Sequence, residues 1–386
     1  MLRIIKIGMD VHTTNYTLCA IEPVLGEDEH VIMTLDTTPE CNSIIKFIEQ
    51  LKNKLGTDNE YDIECGYEAG CLGYSLYKQL TEKGIKCTIL APSTMLTTKG
   101  KRIKTDSRDA LVIAQCLAYK GYSSVYITDE EDQRVRSYIR MRNDHKDTLK
   151  RVKQQINAFC LSLGHCYDRV LWTAGHLLWL RNLELSQMDR EILDEYYATY
   201  EELTAKIERF DKRIEEIAQE ERYRESVKRL ICFKGIKVHT AMSLIVETGD
   251  FKRFKKGSAF AAYLGLVPGE CSSGENINRT PITKAGNAHL RTLLVEAAQG
   301  IVKGKTGYKS KELRKRQSGN PAHIIGFADK ANERLKRKFH RMQARGKKYN
   351  VAVTAVAREL AGFVWGMMTD NTELTQNTAT ANVSQG

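Results

Sequence analysis

Paired cysteine ligands are missing from this sequence. Ten cysteines are scattered through 386 residues, and none forms a CxxC pair. Without such spacing a zinc site is not expected. Scattered cysteines suit a reducing cytosol, several of them acting as small buried hydrophobes. Long apolar runs are missing too, because no stretch reaches the roughly 18 residues that a membrane-spanning helix needs. A signal peptide is not expected either. The N-terminal MLRIIKIGMDVH has a short apolar stretch, but Asp10 interrupts it and no small-residue cleavage site follows. Acidic residues are scarce in one place. Residues 303–348 hold 16 Lys and Arg against three acids, Glu312, Asp329 and Glu333. That is +13 in a chain of net charge +11, so the remainder carries −2. A field so concentrated suits a polyanion, either nucleic acid or an anionic membrane; the plainer alternative is a solvated helix face.

What is present is the composition of an ordered soluble protein, 42% hydrophobic and 28% charged, and long enough for two or three domains. The first 120 residues read as α/β. IIKIGMD (4–10), YTLCAIE (16–22) and HVIMTLD (30–36) predict a three-stranded meander. A helix follows over 38–55 with Thr38 as its N-cap, then a strand over 61–69 and a helix over 73–84 stopped by Gly84. A strand over 85–91 and a helix over 105–119 complete the order β-β-β-α-β-α-β-α. The middle is helical. Apolar residues fall at Leu149, Val152, Ile156, Phe159 and Leu163, then, after a break near 164–185, at Tyr196, Tyr200, Leu203, Ile207, Phe210, Ile214 and Ile217. The second series steps 4 and 3 in strict alternation, a heptad seam that fits either a hairpin within one chain or a coiled coil between two. Further on, LICFKGIKVHTAMSLIVETGDF (230–251) predicts a helix–hairpin–helix, whose turn would offer backbone N–H groups to a phosphate. Residues 369–386 lack a core pattern and read as a disordered tail.

Four carboxylates stand out in this frame. Asp10 ends the first strand and Glu68 the fourth, while Asp106 and Asp109 sit three apart at a helix start and so share a face. Strand ends and one helix face can bring four acids to one point, as in an RNase H-like domain. Hard oxygen ligands hold Mg²⁺ or Mn²⁺, and two such ions about 4 Å apart stabilise the attacking and leaving oxygens of a phosphodiester exchange. Basic neighbours, among them Lys104 and Arg108, make sense if the metal must also meet phosphates. Singly, each acid has a plainer explanation. Asp106 suits a helix macrodipole, Asp10 a turn and Glu68 an exposed strand end.

A second stretch is FAAYLGLVPGECSSGENINRTPITKAGNAHLRTLLVEAAQ (260–299). Ser272 and Ser273 lie in a Gly-flanked loop, with Arg279, Lys284 and Arg291 close enough in sequence to bind a phosphate. Chemistry alone gives a nucleophilic serine little support here, since Ser-Ser-Gly is commonly just a loop.

Taken together, IGMDVH, YEAGCLGYSLYKQL, KTDSRDALVIA, LICFKGIKVHTA, FAAYLGLVP, SSG and ITKAGNAHLRTLLVEAA resemble the DEDD transposases of bacterial insertion sequences of the 110/1111 group. The YEAGCLGY wording is nearer the 1111 branch. The resemblance spans nearly the whole chain to about residue 300, in the family's order. It implies an α/β RNase H-like (RuvC-like) domain over 1–125 and a helical coiled-coil segment over 126–225. A mainly α transposase domain with the helix–hairpin–helix follows over 226–368, and then the tail. It implies a recombinase that cuts and exchanges donor and target DNA, guided by a structured bridge RNA, working as an oligomer in the bacterial cytoplasm at the nucleoid. Carried over, the ligands of Mg²⁺ or Mn²⁺ are Asp10, Glu68, Asp106 and Asp109. The nucleophile is Ser273, the serine directly before Gly, with Ser272 the competing assignment. A resolvase-type nuclease, in which water attacks and Ser273 is incidental, is the alternative.

Overall fold

The computed structural model describes residues 2–24, 30–56, 59–70, 72–95, 105–270, 279–304 and 307–372. The chain divides into two compact units, Met1–Ile127 and Thr128–Gly386.

The first unit has the expected order of elements: β1 (Leu2–Val11), β2 (Tyr16–Glu22), β3 (His30–Thr37), α1 (Cys41–Leu55), β4 (Glu60–Glu68), α2 (Ser75–Glu82), β5 (Lys86–Leu90) and α3 (Asp106–Tyr119). The sheet order is β3-β2-β1-β4-β5. β1, β2 and β3 form the antiparallel meander, while β4 runs parallel to β1 and β5 parallel to β4. Alternation along each strand divides the residues between two faces. Ile5, Ile7 and Met9 of β1 and Cys65 and Tyr67 of β4 join Ile44, Phe47, Ile48 and Leu51 of α1 and Leu76 and Leu80 of α2 in one buried cluster. The opposite residues face α3. Cys19 and Ile21 of β2 pack on its Ala110 and Ala114, and Leu90 of β5 packs on its Ile113 and Leu117. One expected detail is displaced. Helix α1 begins at Cys41 with Glu40 in the N-cap position, and the Thr38 hydroxyl lies 2.8 Å from that of Ser43 without capping the helix.

The second unit is mostly helical: α4 (Glu130–Ser162), α5 (Ala174–Arg181), α6 (Gln187–Ile217), α7 (Glu221–Leu230), α8 (Val238–Thr248), α9 (Gly257–Tyr263), the strand pair β6 (Pro268–Glu270) and β7 (Arg279–Ile282), α10 (Ala288–Val302), α11 (Lys311–Gln317), α12 (Ala322–Ala344) and α13 (Tyr349–Met368). The heptad seam lies on α6 and is filled by α4 of the same chain. Tyr138 meets Phe210, Lys153 lies over the Tyr200 ring and Phe159 meets Tyr196, so rising numbers on α4 pair with falling numbers on α6. The two helices are therefore an antiparallel hairpin. The break between them contains α5, whose Leu180 packs with Ile156, Leu193 and Tyr200. At the other end of the hairpin, Val135, Ile139, Ile214 and Ile217 join one continuous core with α7, α8, α9, α10, α12 and α13. No break in packing separates the hairpin from the helices after it.

By length and composition α13 could cross a membrane. Its Val353, Val356, Leu360, Val364 and Met367 instead lie in that core, and its Glu359 pairs with Arg334 and Lys338 of α12 at 2.5 and 2.6 Å. Beyond α13 Asp370 pairs with Arg229 at 2.6 Å, and the greater part of the expected disordered tail, 373–386, lies outside the described residues.

Candidate active site

Two glycines set how near α3 comes to the sheet. Gly8 of β1 and Gly66 of β4 are register partners. A Cβ on Gly8 would stand 2.0 Å from the Ala110 carbonyl oxygen and 2.3 Å from the Ala114 nitrogen, and one on Gly66 would strike Leu117 at 2.8 Å. With no side chain at either position, α3 lies directly on the strands. Its first turn, carrying Asp106 and Asp109, then reaches the strand ends.

Asp10 lies two residues beyond Gly8 and Glu68 two beyond Gly66, so both carboxylates belong to the α3 face. Met9 pairs with Tyr67, which puts the two acids on neighbouring strands one step further on. The structure brings some of the expected residues closer together than others. Among the described residues, ligand atoms of Asp10, His12 and Asp106 lie within 4.8 Å of one another. Asp109 is near enough to act on the charge of Asp10, while Glu68, exposed at the end of β4, is outside that group, as is Asp109. Burial raises the Asp10 carboxyl above its ordinary range; His12 opposes the shift, and Asp109 and Asp106 add to it. Like charges gathered at a half-buried point suit a bound cation.

His12 escaped the sequence reading, although the pattern Asp-Val-His holds its signal: i and i+2 share a face. Its Nε2 is 3.3 Å from Asp10 Oδ2. The turn after β1 is closed by the His12 N–H donating to the Asn15 carbonyl at 3.0 Å, and the Asn15 amide donates to Asp106 Oδ2 at 3.4 Å. Asp36 also lies in this row of the sheet, held by the buried Thr17 hydroxyl at 2.6 Å; Thr17 is the register partner of Asp10. Arg108 is half-buried in the first turn of α3, and Lys104 lies outside the described residues.

In the second unit, Ser272 and Ser273 lie outside the described residues, between β6 and β7; Arg279 is the first residue of β7. The flanking motifs build the base of this hairpin. Lys284 and Gly286 have left-handed backbones, with φ of 56° and 74°. Gly286 is required there, because a Cβ would meet the Tyr263 carbonyl oxygen at 1.9 Å. Asn287 caps α10 by accepting from the Leu290 N–H at 3.0 Å. Arg291, expected at a phosphate, donates to the Leu264 and Ala285 carbonyls at 3.0 and 3.2 Å and so joins the two sides of the base. Lys284 is exposed.

Beneath this base lies a polar centre that the sequence reading missed. Glu247, buried on α8, accepts two hydrogen bonds of 2.8 Å from Arg140 and one of 3.0 Å from the Asn287 amide. Burial alone would raise its carboxyl; Arg140 and Asn287 outweigh that and hold it below the usual range. A lone Glu inside the apolar run LIVETG was the available signal. Beside it a cavity of about 550 Å³ is lined by Lys146, Lys150 and Lys153 of α4, His239 of α8, and His289 and Thr292 of α10. The turn between α7 and α8 is largely occupied by the protein itself. Lys234 N–H donates to Asn332 and Ile236 N–H to the Phe233 carbonyl, and Gly235 lies against the backbone of Ala297.

An α/β unit followed by a mostly helical unit is the arrangement consistent with a DEDD transposase, and the comparisons give the family. Residues 7–163 match the DEDD transposase profile of the IS110 type, and residues 227–314 match the profile described as transposase IS116/IS110/IS902 family. The chain is 35% identical over 306 residues to the y4qE protein of Sinorhizobium fredii, itself named as a transposase, covering 78% of this chain and 74% of the relative. It is 32% identical over 359 residues to the transposase for insertion sequence element IS1533 of Leptospira borgpetersenii, covering 90% and 99%. Identity to the transposase for IS1111A of Coxiella burnetii is 25% over 264 residues, 66% and 71% of the two chains. The chain belongs to the IS116/IS110/IS902 family of insertion-sequence transposases. It is an enzyme whose substrate is DNA.

Proposed function

We propose that this transposase exchanges DNA strands through a covalent serine intermediate at a divalent-metal centre. The observation that carries the proposal is the closure of Asp10, His12 and Asp106 to within 4.8 Å, with Asp109 acting on Asp10 and Glu68 on the adjoining strand. Hard oxygen donors at this spacing fit Mg²⁺ or Mn²⁺. Bound there, such an ion would polarise a scissile phosphate and neutralise charge on its oxygens. The first unit is read as RNase H-like, with Asp10, Glu68, Asp106 and Asp109 as the metal-holding set.

Ser273 is the proposed nucleophile, ahead of Ser272. Its hydroxyl oxygen bonds to phosphorus, the bond from phosphorus to the leaving sugar oxygen breaks, and that oxygen takes up a proton as the serine loses one. A second strand end then reverses the step, so no external energy source is needed. A serine hydroxyl is a weak nucleophile and needs this activation. Phosphate neighbours are proposed as Lys104, Arg108, Arg279 and the exposed Lys284. Arg291, half-buried and tied to the base by one guanidinium nitrogen, is proposed with them. Lys237, at the start of α8, is the basic residue that the helix–hairpin–helix reading leaves facing outward. The basic helices α11 and α12 suit both DNA and a guide RNA. Assembly into an oligomer is part of this reading, as is action at the bacterial nucleoid. The seam of α6 is already filled by α4, so assembly would use other surfaces.

The test is to trap a protein–DNA adduct on element-end DNA with Mg²⁺ or Mn²⁺ and to map it by mass spectrometry. An adduct on Ser273 that is lost in Ser273→Ala and kept in Ser272→Ala is expected. Strand cleavage at full rate in Ser273→Ala, without any adduct, would sink the serine mechanism in favour of attack by water.

A further inference from the structure

The proposed metal set consists of oxygen donors, but the group that closes in the structure contains an imidazole. We propose that His12 is a direct ligand of the divalent ion, sharing it with Asp10 and Asp106, and that this nitrogen donor makes the centre prefer Mn²⁺ to Mg²⁺. The inference rests on the reading of Asp10 and Asp106 as metal-holding residues.

Three observations support it. The first is distance. Donors on one such ion lie about 2.0–2.2 Å from it, and therefore within roughly 4.4 Å of each other. Atoms of all three residues lie within 4.8 Å, a spread that a small side-chain rotation closes. The second is orientation. His12 follows Asp10 by two residues on the same side of the chain, and its Nε2 lies 3.3 Å from Asp10 Oδ2. Half of its side chain is exposed, so the ring can turn onto an ion without unpacking a core. The third is that the turn carrying it is braced on both sides, by the 3.0 Å bond within the turn and the 3.4 Å bond from Asn15 to Asp106. Those bonds tie the end of β1 to the start of α3, so the backbone that carries His12 is fixed beside Asp106 while the ring stays free to turn.

The preference follows from donor chemistry. Mg²⁺ favours an all-oxygen octahedron and gives up its waters reluctantly, whereas imidazole suits the first-row transition ions. Mn²⁺ accepts carboxylate oxygens and an imidazole nitrogen together. A centre whose donors include an imidazole therefore discriminates where carboxylates alone would not.

The experiment uses the full chain and Mn²⁺ alone. Pulsed electron paramagnetic resonance reads directly whether a ¹⁴N nucleus is coupled to bound Mn²⁺, and titration calorimetry gives the affinities of Mn²⁺ and Mg²⁺. The expected result is a ¹⁴N coupling in the wild type that disappears in His12→Asn. Mn²⁺ affinity should fall by at least about 10-fold in the variant, since even the outer partners of metal ligands act on that scale, with Mg²⁺ affinity changing less. Metal-free melting curves check that His12→Asn folds; if it does not, the wild-type spectrum decides alone. Bound Mn²⁺ that is sensitive to Asp10→Asn but shows no ¹⁴N coupling overturns the role of His12 and leaves the carboxylate centre standing. Mn²⁺ binding that is absent, or indifferent to Asp10→Asn, overturns the carboxylate centre itself.

Discussion

Gly8 and Ala110 meet backbone against side-chain space: where Gly8 would carry a Cβ, the Ala110 carbonyl oxygen stands 2.0 Å away. This approach brings the first turn of α3 to the end of β1. Backbone cannot yield as a flexible side chain can, so Gly8→Ala must push α3 away from the strand. A loss of about 1–3 kcal/mol is expected for such overpacking, with a weaker metal response because Asp106 moves away from Asp10. All three tryptophans, Trp172, Trp179 and Trp365, lie in the second unit. Tryptophan fluorescence should therefore report an unchanged melting of that unit, while calorimetry shows an earlier transition for the first. An unchanged calorimetric trace would mean that the helix and strand are not so tightly apposed.

Much of this was legible in the sequence, and the exceptions have physical causes. Alternation and turn residues were enough to order β1 to α3, and regular steps located the seam on α6. Asp10 and Asp106 could be paired because strand ends and a helix start are recognisable. His12 was passed over because it lies one residue beyond the strand end, so the two-residue step from Asp10 was not followed past the strand. Glu247 was missed because its partners, Arg140 and Asn287, are 107 and 40 residues away in sequence. The carbonyl partners of Arg291 were out of reach because sequence shows a charge but not the groups it turns towards. The partner of the seam needed the fold itself, since a heptad pattern reads alike within and between chains.

The raised carboxyl of Asp10 makes a second outcome testable. Burial and two acidic neighbours disfavour its charged form, so at neutral pH the ionised residue costs the metal-free fold some stability. Asp10→Asn should therefore raise the metal-free melting temperature of the first unit, by up to about 2 kcal/mol in stability. The same variant should lose the stabilisation that added Mn²⁺ gives the wild type. Calorimetry with and without metal measures both. A metal-free variant less stable than the wild type would show that the carboxylate supports the fold, contrary to a site strained for binding.

Glu247 and Arg140 set up a third. Arg140→Met would leave a buried carboxylate with the Asn287 amide but without its cation. Removal of one partner from a fully buried pair costs about 3–5 kcal/mol, and because the Arg140 side chain is 54% exposed a smaller loss, about 1–3 kcal/mol, is expected here. The double variant Arg140→Met/Glu247→Gln should recover much of that loss, because the uncompensated charge is gone. Asn287 joins this centre to the base of the β6–β7 hairpin. Adduct formation at Ser273 should accordingly fall in the single variant and partly return in the double. Equal stability losses in both would show that packing, not charge, dominates at Glu247.

His239 gives the second unit a pH dependence of known sign. Burial, with Arg142, His289 and Lys146 around it, lowers its imidazole from an ordinary 6.5 to about 4; Asp211 opposes the shift. Its Nε2 lies 3.0 Å from Asn143 Oδ1. The unfolded chain therefore takes up a proton near pH 6.5 that the folded chain refuses until about pH 4. The stabilising contribution is complete above pH 6.5 and is lost as pH falls towards 4, on the order of 3 kcal/mol in all. His289 is shifted in the same direction, again chiefly by burial, and adds to the slope. Glu247, held below the ordinary carboxylate value of 4.5, loses its contribution at lower pH still, so the window above 4.5 belongs to the histidines. Urea unfolding followed by tryptophan fluorescence at intervals between pH 7 and 4.5 isolates the second unit. The wild type should lose stability steadily across that range. His239→Gln, which keeps a donor for Asn143 but cannot take up the proton, should flatten most of the slope. A variant that retains the full slope would place the titration elsewhere and deny that His239 is held neutral by its surroundings.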